Sequence, residues 1–205
     1  MRSLARVLSV VLHPVWMPTI ILVLAFTTDP FLSFRFLPKQ RLYFYGMVLC
    51  MTGIFPALST FMLWRSGLVS STSLPTRGER VMPFLLTLFY YGTTYYLLRH
   101  TPSHPVTLSL FFAAALALFL TLLITLRWKI SAHMVGIGGL LGALLGMMAV
   151  HGTHAPLLLA SAFVAAGVLG TARLLDSDHS PAQVYAGALL GATCTLGCIV
   201  YGIAP

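Results

Sequence analysis

Long apolar stretches separated by short polar ones make up nearly all of this chain. Seven of them approach the roughly 20 predominantly apolar residues that a membrane-spanning helix needs. They cover residues 7–28, 42–64, 82–98, 106–126, 133–150, 156–172 and 181–203. Little chain remains for a water-soluble domain. The pattern predicts an all-α fold, a polytopic transmembrane bundle of six to seven spanning helices, which forms a single integral membrane domain over residues 1–205.

The first apolar stretch begins like a signal peptide, because Arg2 and Arg6 stand at its start. It is longer than the apolar part of such a peptide, and His13 and Pro14 interrupt it. We therefore expect it to be retained as a membrane helix.

The composition agrees with a membrane protein, since 58% of the 205 residues are hydrophobic and only 8% are charged. In a soluble protein the formal net charge of +8 would suggest a nucleic-acid partner. Here the cations lie at predicted helix ends, where they contact lipid headgroups or bound anions, so we expect a bilayer and no nucleic acid. In a bacterium such a chain would be a multi-pass protein of the cytoplasmic (inner) membrane. No feature of the sequence assigns an oligomeric state.

Glycines recur every fourth residue in two of the predicted helices, at Gly138, Gly142 and Gly146 and again at Gly187 and Gly191. Small residues at this spacing lie on one face of a helix and allow a second helix to approach closely within a membrane. We expect these five glycines to serve helix packing.

Three polar clusters interrupt the apolar pattern, and alternation of the helices places all three on the same side of the membrane as the N-terminus. The first contains Arg77, Glu79, Arg80 and Pro83, the second Lys129, Ser131 and His133, and the third Arg173, Asp176, Asp178, His179 and Gln183. Ionisable groups at a membrane cost several kcal/mol unless they are paired or functional. The clusters are therefore predicted to form one site.

The residue types of these clusters suit an oxyanion. Guanidinium groups and helix N-termini both bind phosphate, and a histidine can act as a nucleophile or as a general acid. His133 and His179 each open a predicted helix beside such residues, whereas we assign hydrogen-bonded packing roles to His13, His100, His104, His151 and His154. With four acidic residues in the whole chain, we predict no metal ion and no other cofactor.

In order and spacing, the clusters resemble the three signature motifs of the type 2 phosphatidic acid phosphatase superfamily, over residues 77–191 or so. The third motif of that family is Ser-Arg, five residues, His, three residues, Asp. Here Arg173, His179 and Gln183 keep the spacing, and "HSPAQVYAGALLG" continues as in the family. The second motif, Pro-Ser-Gly-His, appears as "ISAH", with Ser131 and His133. The first, Lys, six residues, Arg-Pro, survives as Arg80.

The resemblance implies a membrane phosphatase that hydrolyses a lipid phosphate or diphosphate, such as phosphatidate, phosphatidylglycerol phosphate, lipid A or polyprenyl diphosphate. By the resemblance, His179 attacks phosphorus to give a phosphohistidine and His133 protonates the leaving oxygen. The residues that would hold the phosphoryl oxygens are Arg80, Arg173 and Ser131. Pro83 is displaced from the first motif and Ser73 stands where its lysine should be, so Arg77 is expected to replace the lysine.

Gln183 departs from the family, which has an aspartate at this position to orient the nucleophilic histidine and to stabilise its positive charge. An amide oxygen can orient the ring but supplies no charge. The stretch "SPAQ" also predicts a capping box, in which Ser180 is the N-cap and Gln183 the third helical residue. Asp176 or Asp178 is an alternative source of the carboxylate, or a partner of Arg173.

Two further interpretations follow from the same residues. The first is a catalytically weak or inactive relative that binds or transports a phosphorylated lipid. The second is a membrane cytochrome in which His133 and His179 ligate haem, which predicts a coloured protein. A rhomboid-type protease is excluded because the chain lacks the Gly-x-Ser-Gly turn of that family.

Overall fold

A computed structural model describes residues 2–34, 36–176 and 179–202 of the chain. All regular secondary structure in these ranges is helical. In chain order the elements are α1 (Arg2–Val11), a 3₁₀ turn (Pro14–Trp16), α2 (Met17–Thr28), α3 (Pro30–Ser33), α4 (Pro38–Val48), a π-helical turn (Leu49–Ile54), α5 (Phe55–Arg65), α6 (Arg77–Arg99), α7 (Pro105–Thr125), α8 (Ala132–His151), α9 (Pro156–Asp176) and α10 (Pro181–Val200).

Six helical segments are long and apolar enough to cross a membrane, and they are those of a multi-pass integral membrane protein. They are Ala5–Thr28, Pro38–Arg65, Pro105–Thr125, Ala132–His151, Pro156–Asp176 and Pro181–Val200. The prediction of a helical membrane bundle is confirmed. The remaining predicted span, 82–98, lies within α6, which is helical over 23 residues but is not among the six. Four tyrosines and three threonines make α6 less apolar than its neighbours.

The order of the helices brings the N-terminal end of α1, the segment 66–76, the segment 126–131, the end of α9 and residues 179–180 to one end of the bundle. Contacts between these parts agree with that arrangement. Arg6 of α1 pairs with Asp176 at the end of α9, and Arg80 of α6 donates to the carbonyl of Ile130 just before α8. We call this end the polar end.

A break at His13 divides the first span into α1 and α2. The backbone of His13 is extended, and its Nδ1 accepts a hydrogen bond from the N–H of Val15, so His13 caps the 3₁₀ turn that Pro14 begins. Proline is well placed there because the first N–H groups of a helix have no partner within it. The ring of His13 meets the ring of His133 in α8.

The glycine faces of α8 and α10 are in direct contact, as predicted. A Cβ at Gly138 would lie 2.1 Å from the carbonyl oxygen of Ala188, and one at Gly191 would lie 2.0 Å from that of Val135. Real Cβ atoms do not approach so closely, so only glycine permits this backbone separation. Further along, Gly146 meets Ile199. Residue numbers therefore rise together on both sides of the contact, and α8 and α10 run parallel.

The opposite end of the bundle holds a buried contact between a carboxyl group and an imidazole. Asp29 is 2% exposed; it caps α3 by accepting from the N–H of Phe31, and its second carboxylate oxygen contacts Nδ1 of His151 at the end of α8. The ring of His104 packs edge-on against His151 with centroids 5.2 Å apart. The pair joins the α2–α3 turn to the last turn of α8, at the end of the bundle opposite the polar end.

Candidate functional site

A cavity of about 770 Å³ extends from the polar end into the bundle. Its polar part is lined by Arg6, Ser9, His13, Arg80, His133, Arg173, Asp176 and His179. Its deeper part is mainly apolar, with Met17, Ile21, Leu110, Ala114 and Leu118 among the lining residues. Because Thr121 and Leu110 of α7 both line it, the cavity runs for about 16 Å along that helix, at 1.5 Å per residue. Ligand pockets in proteins have volumes of about 300–1,000 Å³.

His179 lies immediately before α10, in the polar part of the cavity, and is 7% exposed. Its Nδ1 is 3.0 Å from Oε1 of Gln183, one turn along the chain. An amide oxygen can only accept, so Nδ1 carries the proton and Nε2 keeps its lone pair. The ring is thereby held in the tautomer that a nucleophilic Nε2 requires.

The pKa of His179 is lowered from 6.5 to about 4, mainly because burial disfavours the charged ring. The hydrogen bond that His179 donates to Gln183 acts against this shift, and the positive charges of Arg80, Arg173 and Lys129 reinforce it. The neutral imidazole is therefore the form present at pH 7.

Gln183 fulfils both of the roles that the sequence suggests for it, with one oxygen atom. Its Oε1 accepts from the backbone N–H of Ser180 at 3.1 Å as well as from His179, while the Ser180 hydroxyl accepts from the Gln183 N–H at 3.4 Å. The capping box is complete. The backbone N–H of Ser180 can only donate, so the amide oxygen of Gln183 must face it, and the same oxygen then also faces His179.

His133 is in the first turn of α8 and also lines the cavity. Its Nε2 lies 3.0 Å from the backbone carbonyl of Ser9 in α1. A carbonyl can only accept, so Nε2 carries a proton, and Nδ1 is the nitrogen left for a ligand. The ring is thus oriented by a backbone group of the first helix.

Arg80 is 7% exposed and is held by two backbone carbonyls, those of Leu74 at 3.0 Å and Ile130 at 3.2 Å. These use two of the five N–H groups of a guanidinium, which leaves three for a ligand. Leu74 has a backbone φ of 50°, in the left-handed region that costs a non-glycine residue about 1 kcal/mol or more. The strained turn directs the Leu74 carbonyl to the arginine.

Arg173 comes from the last turn of α9 and lines the cavity beside the two histidines. Its Nη1 donates to the Ser9 hydroxyl at 3.2 Å. Asp176, one turn later, pairs with Arg6 at 3.2 Å. Asp176 therefore does not serve as the carboxylate beside His179, and Asp178 lies outside the described residues.

Two of the predicted phosphate ligands lie away from the cavity surface. Arg77 is exposed and donates to the backbone carbonyl of Arg127. Ser131 is fully buried between α8 and α10, where its N–H donates to the carbonyl of Gln183 at 3.3 Å. Within the described part of the chain its hydroxyl has no hydrogen-bond partner. Neither residue lines the cavity.

Three residues of the first span contribute to the site although the sequence did not point to them: Arg6, Ser9 and His13. Ser9 binds His133 through its carbonyl and Arg173 through its hydroxyl. The signal in the sequence was a histidine and a proline in the middle of an apolar stretch. We assigned His13 a packing role, so its place in the cavity was not predicted.

The cavity combines three guanidinium groups and three imidazoles with an apolar channel. Across the described ranges, no three histidine, cysteine or acidic side chains are grouped in a way that would hold a metal ion. No protein-family model, curated protein or solved structure matches this chain. The resemblance to the phosphatase superfamily therefore rests on the motif residues themselves.

Proposed function

We propose that this protein binds a phosphorylated lipid with its phosphate in the polar part of the cavity and its hydrocarbon in the apolar part, and hydrolyses the phosphate ester or anhydride. The observation that carries the proposal is the single cavity that places Arg80, Arg173, His133 and His179 at one end and mainly apolar side chains at the other. A lipid phosphate has the same division into a charged head and an apolar tail.

In the proposed first step, Nε2 of His179 forms a bond to phosphorus while the bond from phosphorus to the lipid oxygen breaks. The lone pair is available because Gln183 holds the proton on Nδ1. His133 supplies the proton for the leaving oxygen from Nδ1, with its Nε2–H bound to the Ser9 carbonyl. A phosphate dianion next to the ring favours the doubly protonated imidazolium that this step needs.

In the second step, water attacks the phosphohistidine and the nitrogen–phosphorus bond breaks, which releases inorganic phosphate. His133, neutral after the first step, takes the proton from that water. Arg80 and Arg173 hold the phosphoryl oxygens in both steps, where preorganised positive charge stabilises the charge that develops in the transition state.

A second candidate function is binding or transport of the phosphorylated lipid with little or no turnover. Gln183 favours it, because a neutral amide does not stabilise the positive charge on His179. When an amide replaces the orienting aspartate of a serine protease, the rate falls by about 10⁴-fold, chiefly through the wrong tautomer. Here the amide oxygen faces Nδ1, so the tautomer is right and only the charge is missing.

Phosphate release from a lipid panel tests the proposal. The panel contains phosphatidate, phosphatidylglycerol phosphate, lipid A and a polyprenyl diphosphate, each in mixed micelles with the detergent-solubilised chain. We expect phosphate release from at least one lipid and its loss in His179→Ala. His154→Ala, at an exposed histidine at the other end of the bundle, is the control and should release phosphate as wild type does. If wild type releases nothing yet binds the lipids, the second candidate replaces the first.

A further inference from the structure

His13 is the third imidazole of the cavity, and neither the motifs nor the proposed mechanism uses it. It packs edge-on against His133 with ring centroids 5.0 Å apart. Both rings line the cavity. The two histidines are far apart in the sequence: His13 follows α1 in the middle of the first span, and His133 is in the first turn of α8.

The hydrogen bonds of His13 determine which of its nitrogens carries the proton. Nδ1 accepts from the N–H of Val15 at 3.4 Å, so in the neutral ring the proton is on Nε2. Nε2 is the nitrogen farther from the backbone, and none of the described residues forms a hydrogen bond with it. His13 therefore offers an uncharged N–H donor to whatever occupies the cavity.

The backbone that follows His13 lies deeper in the bundle than His133. A Cβ placed on Gly136 would be 3.2 Å from the Cα of Pro14 and 3.0 Å from the side chain of Met17. The residue after His13 is thus level with Gly136, nearly one turn further into the bundle than His133. In the proposed orientation of the lipid, this is the side on which the leaving group is attached to phosphorus.

We propose that His13 is a substrate-positioning residue whose Nε2–H donates a hydrogen bond to an oxygen on the leaving-group side of the phosphorus. In a phosphate monoester this is the ester oxygen, and in a diphosphate it is an oxygen of the second phosphate. The inference rests on the proposed function of the same cavity. The ring of His13 is uncharged, so release of a proton is left to His133. The hydrogen bond from His13 orients the substrate and keeps the leaving oxygen close to Nδ1 of His133.

Two substitutions separate this donor from the structural role of His13. Asparagine and serine are both good N-caps and would keep an oxygen for the Val15 N–H. Asparagine also retains an N–H donor, although closer to the backbone than Nε2 of histidine, whereas the serine side chain is shorter still. His13→Asn and His13→Ser should therefore fold alike, as judged by their unfolding temperatures in detergent, and differ in the donor.

The experiment uses the full chain with dioleoyl phosphatidate and farnesyl diphosphate. A hydrogen bond to a charged group corresponds to about a ten- to hundredfold effect. We expect His13→Ser to lower kcat/KM for the lipids by that factor, His13→Asn to recover part of it, and the two variants to unfold at the same temperature. A larger loss for the diphosphate than for phosphatidate would assign the contact to the second phosphate, and equal losses to the ester oxygen.

Wild-type lipid turnover in His13→Ser would overturn the inference and leave the phosphatase function standing. An equal loss of turnover in His13→Ser and His13→Asn, with a lower unfolding temperature than wild type, would overturn it too, since it would show that His13 only maintains the structure. Failure of the proposed function is read from wild type alone, as absence of phosphate release from both lipids. In that case titration of phosphatidate still tests His13, and unchanged affinity in His13→Ser would refute it.

Discussion

At the scale of single residues, the site depends on how two imidazole rings are oriented. One amide oxygen, that of Gln183, caps α10 and fixes the proton of His179. One backbone carbonyl, that of Ser9, fixes the proton of His133. Neither partner carries a charge. The His179 ring therefore stands in the tautomer that leaves Nε2 with its lone pair, and the His133 ring in the one that leaves Nδ1 for a ligand. Neither ring has a carboxylate partner that would stabilise its positive form.

Adding a charge at position 183 should raise turnover. Gln183→Glu has the same length as the native side chain, keeps the capping box and places a carboxylate beside Nδ1 of His179, which favours a positively charged ring. We expect an increase of about tenfold or more in phosphate release. Gln183→Asp is one methylene shorter and should lie between wild type and Gln183→Glu. Gln183→Leu serves as the control that loses both orientation and cap, and a Gln183→Glu rate at or below wild type would contradict the role given to this side chain.

The pKa of His179, about 4, predicts the acid limb of the pH–rate profile. The nucleophile must be neutral, so activity should persist as the pH falls from 7 and should be lost only as the pH passes through about 4. An unburied histidine would lose activity near 6.5. The profile of kcat/KM reports the pKa values of the free enzyme. In Gln183→Glu the acid limb should move to higher pH, because the carboxylate stabilises the charged ring. In wild type, an acid limb near pH 6.5 would contradict the environment described for His179.

At the scale of elements, the parallel contact of α8 with α10 sets the distance between the two histidines, since each ring stands at the start of one of these helices. The contact is closest where glycines face backbone carbonyls. Ser131 just before α8 and Gln183 in α10 are also joined directly, by the N–H to carbonyl hydrogen bond. A change in helix separation should therefore affect both stability and the site.

Gly191→Ala tests this contact. The new Cβ would lie 2.0 Å from the Val135 carbonyl oxygen, so the helices must separate, at a cost of about 1–3 kcal/mol for overpacking. Gly197→Ala is the matched control in the same helix, because nothing lies within 4 Å of its Cβ position; alanine there should stabilise by up to about 1 kcal/mol. Thermal unfolding in detergent should give a lower Tm for Gly191→Ala and an equal or higher Tm for Gly197→Ala. Equal values for the two would show that the close contact is absent.

At the scale of the whole molecule, the two ends of the bundle have separate tasks. The polar end holds the candidate site, and the other end holds the buried pair of Asp29 and His151. The pair fixes the α2–α3 turn against α8. It lies at the opposite end of α8 from His133, so it should matter for stability and not for chemistry.

His151→Leu should therefore destabilise the fold and leave kcat/KM unchanged per folded molecule. Removing the imidazole leaves a buried carboxylate without its partner, which costs about 3 kcal/mol or more. His154→Leu, at an exposed position three residues away, is the control and should leave the Tm within experimental error. A lower kcat/KM per folded molecule in His151→Leu than in wild type would contradict the separation of the two ends.

The sequence predicted the helices, the glycine contact and three clusters at one end, because hydrophobic period and residue spacing are local properties. Four of the motif residues, Arg80, His133, Arg173 and His179, do line one cavity. Spacing could not foresee the part played by Ser9, since its contact with His133 joins residues 124 positions apart. Nor could it separate surface from interior near the site, where Arg77 turns outward and Ser131 lies buried behind α10.

The covalent intermediate is the most direct test of the account. Wild-type protein is mixed with ³²P-labelled lipid phosphate, quenched in alkali to preserve phosphohistidine, and digested for peptide mapping. We expect label on the peptide that contains His179 and no label in His179→Ala. Phosphate release without label at His179, or label on any other residue, would contradict the central claim.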